Sequence, residues 1–592
     1  MDIPRCRAAP APRIRQQREG ATVRSGARGE SMTARPRLRA ATAAAVAIAA
    51  AVGAVAGVAF LARGTSLLSD QRTYYVSAGG DDRSDGRSPA RAWRTLDRAS
   101  AQTVRPGDQI RLAGGEHFTG QLRLDSDDAG DPTHPVILGS YGPGRAVVDM
   151  TDEPAVSVHN TSGVSIGDLT IVGTAGSSPV DGITVYNDLP ERTRLVGVRI
   201  ERVEVSGAKN GIAVGSAAES LGFDDVSVRD SSLHDNAIAG LATYGPGFDS
   251  DAPVYAHRNV TISGVSAYRN TGDPAATVNT GNGIILGSVE AGRIERSTAY
   301  GNGALSAAAE GPVGIWAYDS TGIIIENNLS YGNRTNGADG GGFGLDRNVS
   351  DSVLQYNLSY DNDGSGLLLY GASETRGHGR NTARFNVSSN DSRRGDFHGG
   401  ISVLGGLTGP GQPGGIVGDQ IYHNTVVMGA GTDGAAPPVI RIGGTLDEVM
   451  VRNNIFLSQG GGPLLLAVNS TDNGATFEGN NYFGTSENSR IIWAGAEFES
   501  LSGWRYATGQ EIVSGEAAGS QADPELVDPA SPTTVAAADQ ITSASGFALR
   551  PGSPMIGAAA PLAGIDPGTR DYFGVPLMPD RVDAGASRFA DQ

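Results

Sequence analysis

Several residue types are scarce in this 592-residue chain, and each shortage excludes a class of protein. The one cysteine, Cys6, lies in an N-terminal extension, so the rest of the chain has neither disulfides nor thiol chemistry. There is one lysine, Lys209, and beyond residue 39 the chain holds 36 basic against 61 acidic residues, which argues against nucleic-acid binding. Glycine is abundant instead, with 85 residues scattered among short β-branched runs. This pattern is typical of many strands joined by turns.

The N-terminus carries a basic segment followed by an apolar one. Residues 1–39 hold ten Arg and three acidic residues and are expected to be a disordered extension, with Met32 as an alternative start. Residues 40–62 form an uncharged, Ala/Val-rich run between Arg39 and Arg63. Its length suits a membrane anchor, and a cleaved signal segment is the alternative. Either reading predicts that the body is exported, membrane-anchored in the first case and secreted in the second.

A repeat occupies the chain from Val164 to about Tyr482. In each unit a short strand ends in a turn that contains Asn, with steps of 34, 32, 31, 29 and 28 residues, and periods of this size indicate a solenoid. The Asn set is Asn236, Asn270, Asn302, Asn333, Asn362 and Asn390. Tyrosine stands two residues earlier in four units: Tyr268, Tyr300, Tyr331 and Tyr360. We expect the Asn side chains to stack at one corner and the tyrosines to form a second stack.

A second strand in each unit opens with glycine and then alternates apolar residues with outward-facing ones. Four copies align on Gly314, Gly342, Gly366 and Gly400. In this alignment Asp346 faces outward between Tyr318 on the coil before and Tyr370 on the coil after. Since the repeat contains no amphipathic stretch of helical length, helical repeat arrays are excluded. Short strands in turns of about 30 residues predict a parallel β-helix.

These repeats resemble the right-handed parallel β-helix proteins of the pectate-lyase-like (pectin lyase fold) superfamily. The opening YYVSAGGDDRSDGRSPARAWRTLDRA is similar to the N-terminal cap of exported bacterial members, and GFALRPGSPMIGAAAPL is similar to their C-terminal segment. The predicted fold is all-β, a right-handed parallel β-helix solenoid with an N-terminal cap and one N-terminal hydrophobic helix. The predicted boundaries are 74–150 for the cap and first coils, 151–485 for the repeats and 486–592 for the C-terminal coils and capping segment.

Three aspartates are the candidate catalytic residues. Asp339 and Asp363 each stand three residues before the aligning glycine, so stacked coils would hold their carboxyls roughly 5 to 6 Å apart. Carboxyl pairs about 5 to 5.5 Å apart suit a retaining glycosidase, and wider pairs suit an inverting one. Asp346 faces outward beside aromatic side chains, as acids do in sugar clefts. An Asp before a glycine-rich turn also bonds its own backbone, so a purely structural role is the alternative.

Further residues could bind substrate. His398 stands two residues before Gly400, near the edge that Asp363 occupies one coil earlier, where it could assist as acid or base. Arg347 could hold an acidic sugar. The predicted substrate-binding residues are Trp316, Tyr318, Tyr370, His398 and Arg347.

Two motif comparisons limit what the resemblance implies. Polygalacturonase-like hydrolases of this fold carry a Gly-His-Gly, which Gly377-His378-Gly379 matches, but their Asn-Thr-Asp and Arg-Ile-Lys are missing here. The single match is interpreted as accidental. Pectate lyases of the fold use calcium held by acidic side chains, and Asp339, Asp361 and Asp363 could bind it. Lys209 lies too many coils away to be their base.

The sequence thus predicts an exported protein that hydrolyses glycosidic bonds of a polysaccharide with stacked Asp carboxylates. A calcium-assisted polysaccharide lyase or epimerase is the first alternative, and a non-catalytic glycan-binding or cell-surface scaffold is the second. No cofactor other than the possible calcium is expected. The expected partners are a polysaccharide and, through residues 40–62, a membrane, with no nucleic acid.

Overall fold

A computed structural model describes residues 71–174, 179–372, 377–395, 397–406, 414–468, 474–531, 533–562, 564–578 and 582–590 of the chain. The predicted basic extension, 1–39, and hydrophobic helix, 40–62, lie outside these ranges. Within the described ranges, no helix has both the length and the apolar character needed to cross a membrane.

Three long sheets run side by side along the molecule, and each coil contributes a strand to every sheet in turn. Their strands are parallel except for the last pair of sheet 3, Ile491–Trp493 with Ala496–Phe498, which is antiparallel. Sheet 1 contains Thr73–Val76, Gln109–Ala113, Val136–Tyr141, Val164–Gly167, Leu195–Glu201, Phe223–Arg229, His257–Ser263, Val289–Glu295, Ile324–Glu326, Val353–Gln355, Thr382–Arg384, Gln420–Tyr422, Val449–Arg452 and Ala475–Glu478. Sheet 2 contains His117–Thr119, Ala146–Asp149, Leu169–Val172, Glu204–Ser206, Ser232–His234, Ser266–Tyr268, Thr298–Tyr300, Leu329–Tyr331, Leu358–Tyr360, Val387–Ser389, Thr425–Met428, Ile455–Ser458 and Asn481–Gly484. Sheet 3 contains Leu122–Leu124, Val156–His159, Ile183–Asn187, Asn210–Ser216, Ala239–Tyr244, Asn282–Gly287, Val313–Tyr318, Gly341–Leu345, Leu367–Gly371, Ile401–Gly405, Ile440–Gly443, Leu465–Val468, Ile491–Trp493 and Ala496–Phe498.

The remaining elements are short. Two small sheets pair Ile416–Val417 with Leu446–Asp447 and Ile512–Val513 with Glu516–Ala517. The α-helices are Leu96–Ser100 and Leu501–Thr508, and the 3₁₀ helices are Pro89–Arg91, Thr432–Gly434, Ala538–Ser543 and Ser545–Phe547. Both α-helices bury apolar side chains against the coil interior, Leu96 in the first and Trp504 in the second.

One continuous apolar core fills the space between the three sheets. In sheet 3 the strand Val313–Tyr318 buries Ile315 and Ala317, and these pair in register with Phe343 and Leu345 on the next coil. The alternation read from the sequence therefore places the inward residues correctly, and the predicted parallel β-helix is confirmed.

Amide side chains stack at the corner between sheets 2 and 3. The Nδ2 atom of each Asn donates to the Oδ1 atom of its equivalent one coil on, at 2.7–2.9 Å, along Asn236, Asn270, Asn302, Asn333 and Asn362 to Asp391. The predicted last member, Asn390, is wrong by one residue. It lies just before the corner, and Asp391 accepts the bonds from Asn362.

A second amide ladder, which the sequence analysis did not find, lies between sheets 1 and 2. It runs through Asn328, Asn357, Asn386, Asn424, Asn454 and Asn480, and its final Nδ2 donates to Glu511. At the third corner the backbone N–H of Asn381 donates to Asp419. Each of these series thus ends on a buried carboxyl group, since a carboxylate accepts hydrogen bonds but has no N–H to pass on.

The predicted tyrosine stack is confirmed on the outer face of sheet 2. The rings of Tyr268, Tyr300, Tyr331 and Tyr360 lie parallel with centroids 4.8–5.1 Å apart. The C-terminal segment covers the later part of this face: the Tyr360 hydroxyl donates to the carbonyl of Val535 at 2.6 Å. Apolar residues of the segment pack on Leu329 and Leu358. Sheet 2 is thereby closed to solvent where the C-terminal segment crosses it.

The buried end of the first ladder predicts a pH-dependent stability. Burial raises the pKa of Asp391 to about 7, so between pH 4 and 7 the folded chain holds a proton that the unfolded chain releases. Stability therefore falls as pH rises through this window, by about 1.4 kcal/mol for each unit of pKa difference. We expect Asp391→Asn, which keeps the ladder and cannot ionise, to reduce this fall and to raise the unfolding free energy at pH 8. Denaturant unfolding at pH 4, 6 and 8 measures both effects.

The matched control for this experiment is Asn362→Asp, which introduces an ionisable group one coil earlier in the same ladder and should steepen the pH dependence. Equal pH dependence in the wild type and in Asp391→Asn would contradict the prediction.

Candidate active site

Asp346 lies at the centre of a row of outward-facing positions on sheet 3. Strand pairing aligns Ala317 with Leu345 and Leu345 with Leu369. The next residue on each coil is therefore Tyr318, Asp346 and Tyr370 in turn. The predicted position of Asp346 between the two tyrosines is confirmed by this register. The outward position two residues earlier on the same strand is Gly344, which pairs with Trp316 on the coil before and is buried beside it.

The protein surroundings of Asp346 favour its neutral form. Its side chain accepts the backbone N–H of Arg347, yet burial raises the pKa of the carboxyl to about 6, and the negative charge of Asp339 adds to the rise. A carboxyl that holds its proton near neutral pH can act as a general acid.

His378 fixes the backbone at this point, although the sequence analysis interpreted its Gly-His-Gly as accidental. Its Nδ1 atom lies 3.0 Å from the carbonyl oxygen of Asp346, and its Nε2 atom lies 3.0 Å from Oδ2 of Asp419. Burial alone would lower the pKa of His378, but the Asp419 carboxylate outweighs it and raises the pKa. His378 is therefore a positioning residue that connects Asp346 to the carboxylate at the third corner.

Asp339 belongs to a hydrogen-bonded chain on the same side of sheet 3. Its Oδ1 atom lies 2.9 Å from Nε2 of His398, and its Oδ2 atom accepts the backbone N–H of Gly311 at 3.1 Å. The other ring nitrogen of His398 lies 3.0 Å from Oγ of Ser365, which donates to Ser402 at 2.7 Å. Burial raises the pKa of Asp339, and the charge of His398 opposes this rise.

His398 lies near the Asp363 edge, as predicted, since its ring contacts Ser365, two residues after Asp363. Its side chain is only 6% exposed and lies 2.9 Å from Asp339, so it supports that carboxylate and does not present a free ring to a substrate. Neither Ser365 nor Ser402 could be found from the sequence, because their contact depends on how the turn before Leu367–Gly371 bends over the strand Ile401–Gly405 and residue spacing does not encode it.

Asp339 and Asp363 occupy equivalent positions on consecutive coils, as predicted, because the register that pairs Phe343 with Leu367 extends back to the bond from the Gly364 N–H to the Gly340 carbonyl. Their carboxyl groups, however, bind different partners. Asn333 and Asn362 stack, so Asp363 follows its corner directly, as Arg334 does one coil earlier, whereas Asp339 ends a longer turn. Asp363 accepts the backbone N–H of Thr335 at 3.1 Å and lies 3.5 Å from Arg334. The extra residues of the longer turn lie between Arg334 and Asp339, so counting back from the glycine aligns the two aspartates but does not predict the partners of their carboxyl groups.

The three predicted calcium ligands are paired with basic side chains. Asp361 pairs with Arg334 at 2.7 Å and Asp363 shares that arginine, while Asp339 pairs with His398. In the part of the chain that the structure describes, no group of three or more His, Cys, Asp or Glu side chains is arranged to hold a metal ion. The residues present do not fit a shared calcium site.

The predicted sugar-binding residues divide into buried and accessible ones. Trp316 is not on the accessible surface, contrary to the prediction that it binds sugar. It is only 8% exposed, its Nε1 donates to Asn282 at 3.0 Å, and it packs in a small apolar cluster with Ile285. The centroid of its ring lies 5.4 Å from that of the Tyr318 ring, so the two rings pack against each other. Tyr318 is partly exposed, and Tyr370 is 37% exposed.

Arg347 is exposed at the edge of this row. Its guanidinium carbon lies 5.9 Å from the centroid of the Tyr318 ring. It is therefore placed where a charged group of a ligand lying on Tyr318 would meet it.

Three sheets of coils with stacked corners give the chain a parallel β-helix fold. No family model matches the sequence, and no curated protein does.

Solved structures with a similar fold include a GH136 lacto-N-biosidase from Eubacterium ramulus, with 16% identity over 72% of this chain and 68% of that one and a TM-score of 0.47. Pectate lyase Pel9A has 15% identity over 88% and 97% of the two chains and a TM-score of 0.38. The A-module of mannuronan C-5 epimerase AlgE4 from Azotobacter vinelandii has 17% identity over 61% and 86%, with a TM-score of 0.38. Such distant likenesses carry no inference about activity, which has to come from the site itself.

The different burial of the aromatic residues predicts different effects of truncation. Trp316→Ala removes a packed ring and one of the two hydrogen bonds that the Asn282 Oδ1 atom accepts, so we expect a loss of about 3–5 kcal/mol of unfolding free energy. The matched variant Tyr370→Ala removes an exposed ring of the same face and should change stability by about 0.5 kcal/mol or less. Denaturant unfolding of both variants gives the comparison, and equal losses would contradict the assignment of Trp316 to the packed interior.

Proposed function

We propose that this protein hydrolyses glycosidic bonds of a polysaccharide, with Asp346 as general acid and Asp339 as general base or nucleophile. The observation that carries the proposal is the pair itself. The negative charge of Asp339 raises the pKa of Asp346, and the two carboxyl groups, which flank the strand Gly341–Leu345, have different environments. Glycosidases use two carboxyl groups in different protonation states on either side of the bond that breaks.

The acid role falls to Asp346 because its pKa is raised to about 6. The side chain faces outward from the row and could give its proton to the oxygen of the leaving sugar. The link through His378 holds the backbone that carries this carboxyl, so the direction of proton transfer would be fixed by the coil itself.

The base or nucleophile role falls to Asp339, whose charge is balanced by His398. As Asp339 takes up a proton or a sugar during the reaction, the chain from His398 through Ser365 to Ser402 could adjust its hydrogen bonds. Asp363, the third predicted catalytic residue, supports neither role in this arrangement, because Arg334 and Thr335 occupy its carboxylate.

Substrate binding is assigned to the row on either side of Asp346. Tyr318 and Tyr370 offer rings that can stack on the apolar faces of pyranose sugars. Arg347 could contact an acidic substituent. In this proposal the protein works outside the cytoplasm, as the segment 40–62 predicts.

The reaction type is tested by product analysis. Residues 71–592 are incubated with neutral and acidic polysaccharides, with calcium or with a chelator, and both reducing ends and the absorbance of unsaturated uronates are recorded. New reducing ends without that absorbance support hydrolysis. Unsaturated products would overturn it in favour of a lyase, and no turnover on any polysaccharide would favour the scaffold alternative.

The protonation states predict a specific pH profile. Asp346 must keep its proton to act as the acid, so kcat/KM should fall as pH rises through about 6. We expect Asp346→Asn to lower kcat about 10²–10⁴-fold and to remove this alkaline limb. Asp339→Asn should lower kcat by a similar factor and remove the fall of kcat/KM at acid pH, because Asp339 must be ionised to act as base or nucleophile.

The control is Asp351→Asn, which changes a carboxylate paired with Arg380 on an exposed surface and should leave kcat unchanged. An unchanged alkaline limb in Asp346→Asn would contradict the acid assignment.

A further inference from the structure

The outward row that contains Asp346 has an unusual composition on the coils before it. Over five consecutive coils tyrosine and glycine alternate in strand register, as Tyr186, Gly215, Tyr244, Gly287 and Tyr318. The next member of the row is Asp346. The proposed acid therefore stands at the end of a straight line of rings that runs along the helix axis.

The glycines in this row make room for the tyrosine rings. A Cβ atom on Gly215 would lie 2.3 Å from the Tyr244 ring, and one on Gly287 would lie 2.3 Å from the Tyr318 ring. Neither glycine has a positive φ, so the backbone conformation does not require glycine at either position. Glycine within a strand weakens it, and here the close approach of a ring accounts for its presence. The rings of Tyr244 and Tyr318 thus lie across the backbone of the coil before them, whereas the Tyr186 ring stacks on that of His159, with centroids 6.2 Å apart.

The tyrosine stack on sheet 2 shows what a structural arrangement looks like in the same molecule. There a tyrosine stands on every coil from Tyr268 to Tyr360, and the rings cover one another at about 5 Å. On sheet 3 the tyrosines stand on every second coil, about 9.6 Å apart along the axis, which is too far for ring stacking. Tyr186, Tyr244 and Tyr318 all remain partly exposed.

The spacing and charge indicate the kind of ligand. Two coils are close to the length of two linked pyranose sugars, so the rings repeat with a period that a straight glycan can match. Burial raises the pKa of Tyr244 and Tyr318 to about 12, so both phenols stay neutral and can donate hydrogen bonds to sugar hydroxyls. The strongly acidic balance of the chain argues against a nucleic acid in this position.

We propose that Tyr186, Tyr244 and Tyr318 form a platform that binds several consecutive sugars of a linear glycan on one side of Asp346. Its placement next to the point of cleavage rests on the proposed function. The platform favours cleavage at internal bonds of long glycan chains. Tyr186 lies five coils from Asp346, so it contacts only those substrates that extend along the row.

Binding is tested without turnover by affinity electrophoresis of the Asp346→Asn protein, residues 71–592. The gels contain alginate, polygalacturonate, xylan or hydroxyethyl cellulose. We expect at least one glycan to slow migration, with Tyr186→Ala and Tyr244→Ala each weakening binding about 3- to 10-fold. Gly215→Ala should weaken it as well, because the added methyl group displaces the Tyr244 ring. Tyr186→Trp, which keeps a ring, should retain binding.

The matched control is Tyr506→Ala, which removes a tyrosine that is 95% exposed on the helix Leu501–Thr508 and should leave migration unchanged. Thermal unfolding of each variant verifies that it is folded. Unaltered binding in folded Tyr186→Ala and Tyr244→Ala, or no retardation by any of the four glycans, would overturn the platform.

The platform and the proposed hydrolysis fail in different ways. Tyrosine-dependent retardation without any cleavage by the wild type would leave the platform standing and remove the hydrolase. Cleavage of long and short glycans that Tyr186→Ala and Tyr244→Ala perform as well as the wild type would leave the hydrolase standing and overturn the platform.

Discussion

The hydrogen bond between equivalent amide side chains on successive coils is the interaction on which the rest of this structure depends. A carboxamide both donates and accepts, so each buried Asn can receive bonds from one coil and give them to the next. The bond from Asn333 to Asn362, at 2.8 Å, is one such step. An amide left without its partner in this interior would cost about 1–3 kcal/mol. Two corners of every coil in a ladder are therefore held in fixed register.

Because the corners are held in fixed register, the coils can differ in length only in the turns between the ladders. The turns on the borders of sheet 3 lie between the ladders, and their lengths differ from coil to coil. The turn after Asn333 is longer than the one after Asn362, and it carries Asp339 to His398, which arrives from a loop further along the chain. The candidate site is thus assembled from the irregular parts of a regular array, as is usual for functional loops on a rigid scaffold.

The ends of the ladders connect this scaffold to the site. Asp391, Asp419 and Glu511 accept the last bonds of their series. Asp419 also pairs with His378, which holds the carbonyl of Asp346. The carboxylate at one corner therefore helps to orient the proposed acid, and the positioning of Asp346 shares residues with the packing of the coils.

The amino-acid sequence alone determined the parallel coils, the tyrosine stack and the position of Asp346 between Tyr318 and Tyr370. All three follow from strand alternation and from a nearly constant repeat length, which are local properties of the chain. Only the tertiary structure decided that the carboxyl group of Asp339 binds His398 while that of Asp363 lies near Arg334, and that Trp316 is buried. Those outcomes depend on how turns of unequal length bend over the sheet, and residue spacing along the chain does not record that path.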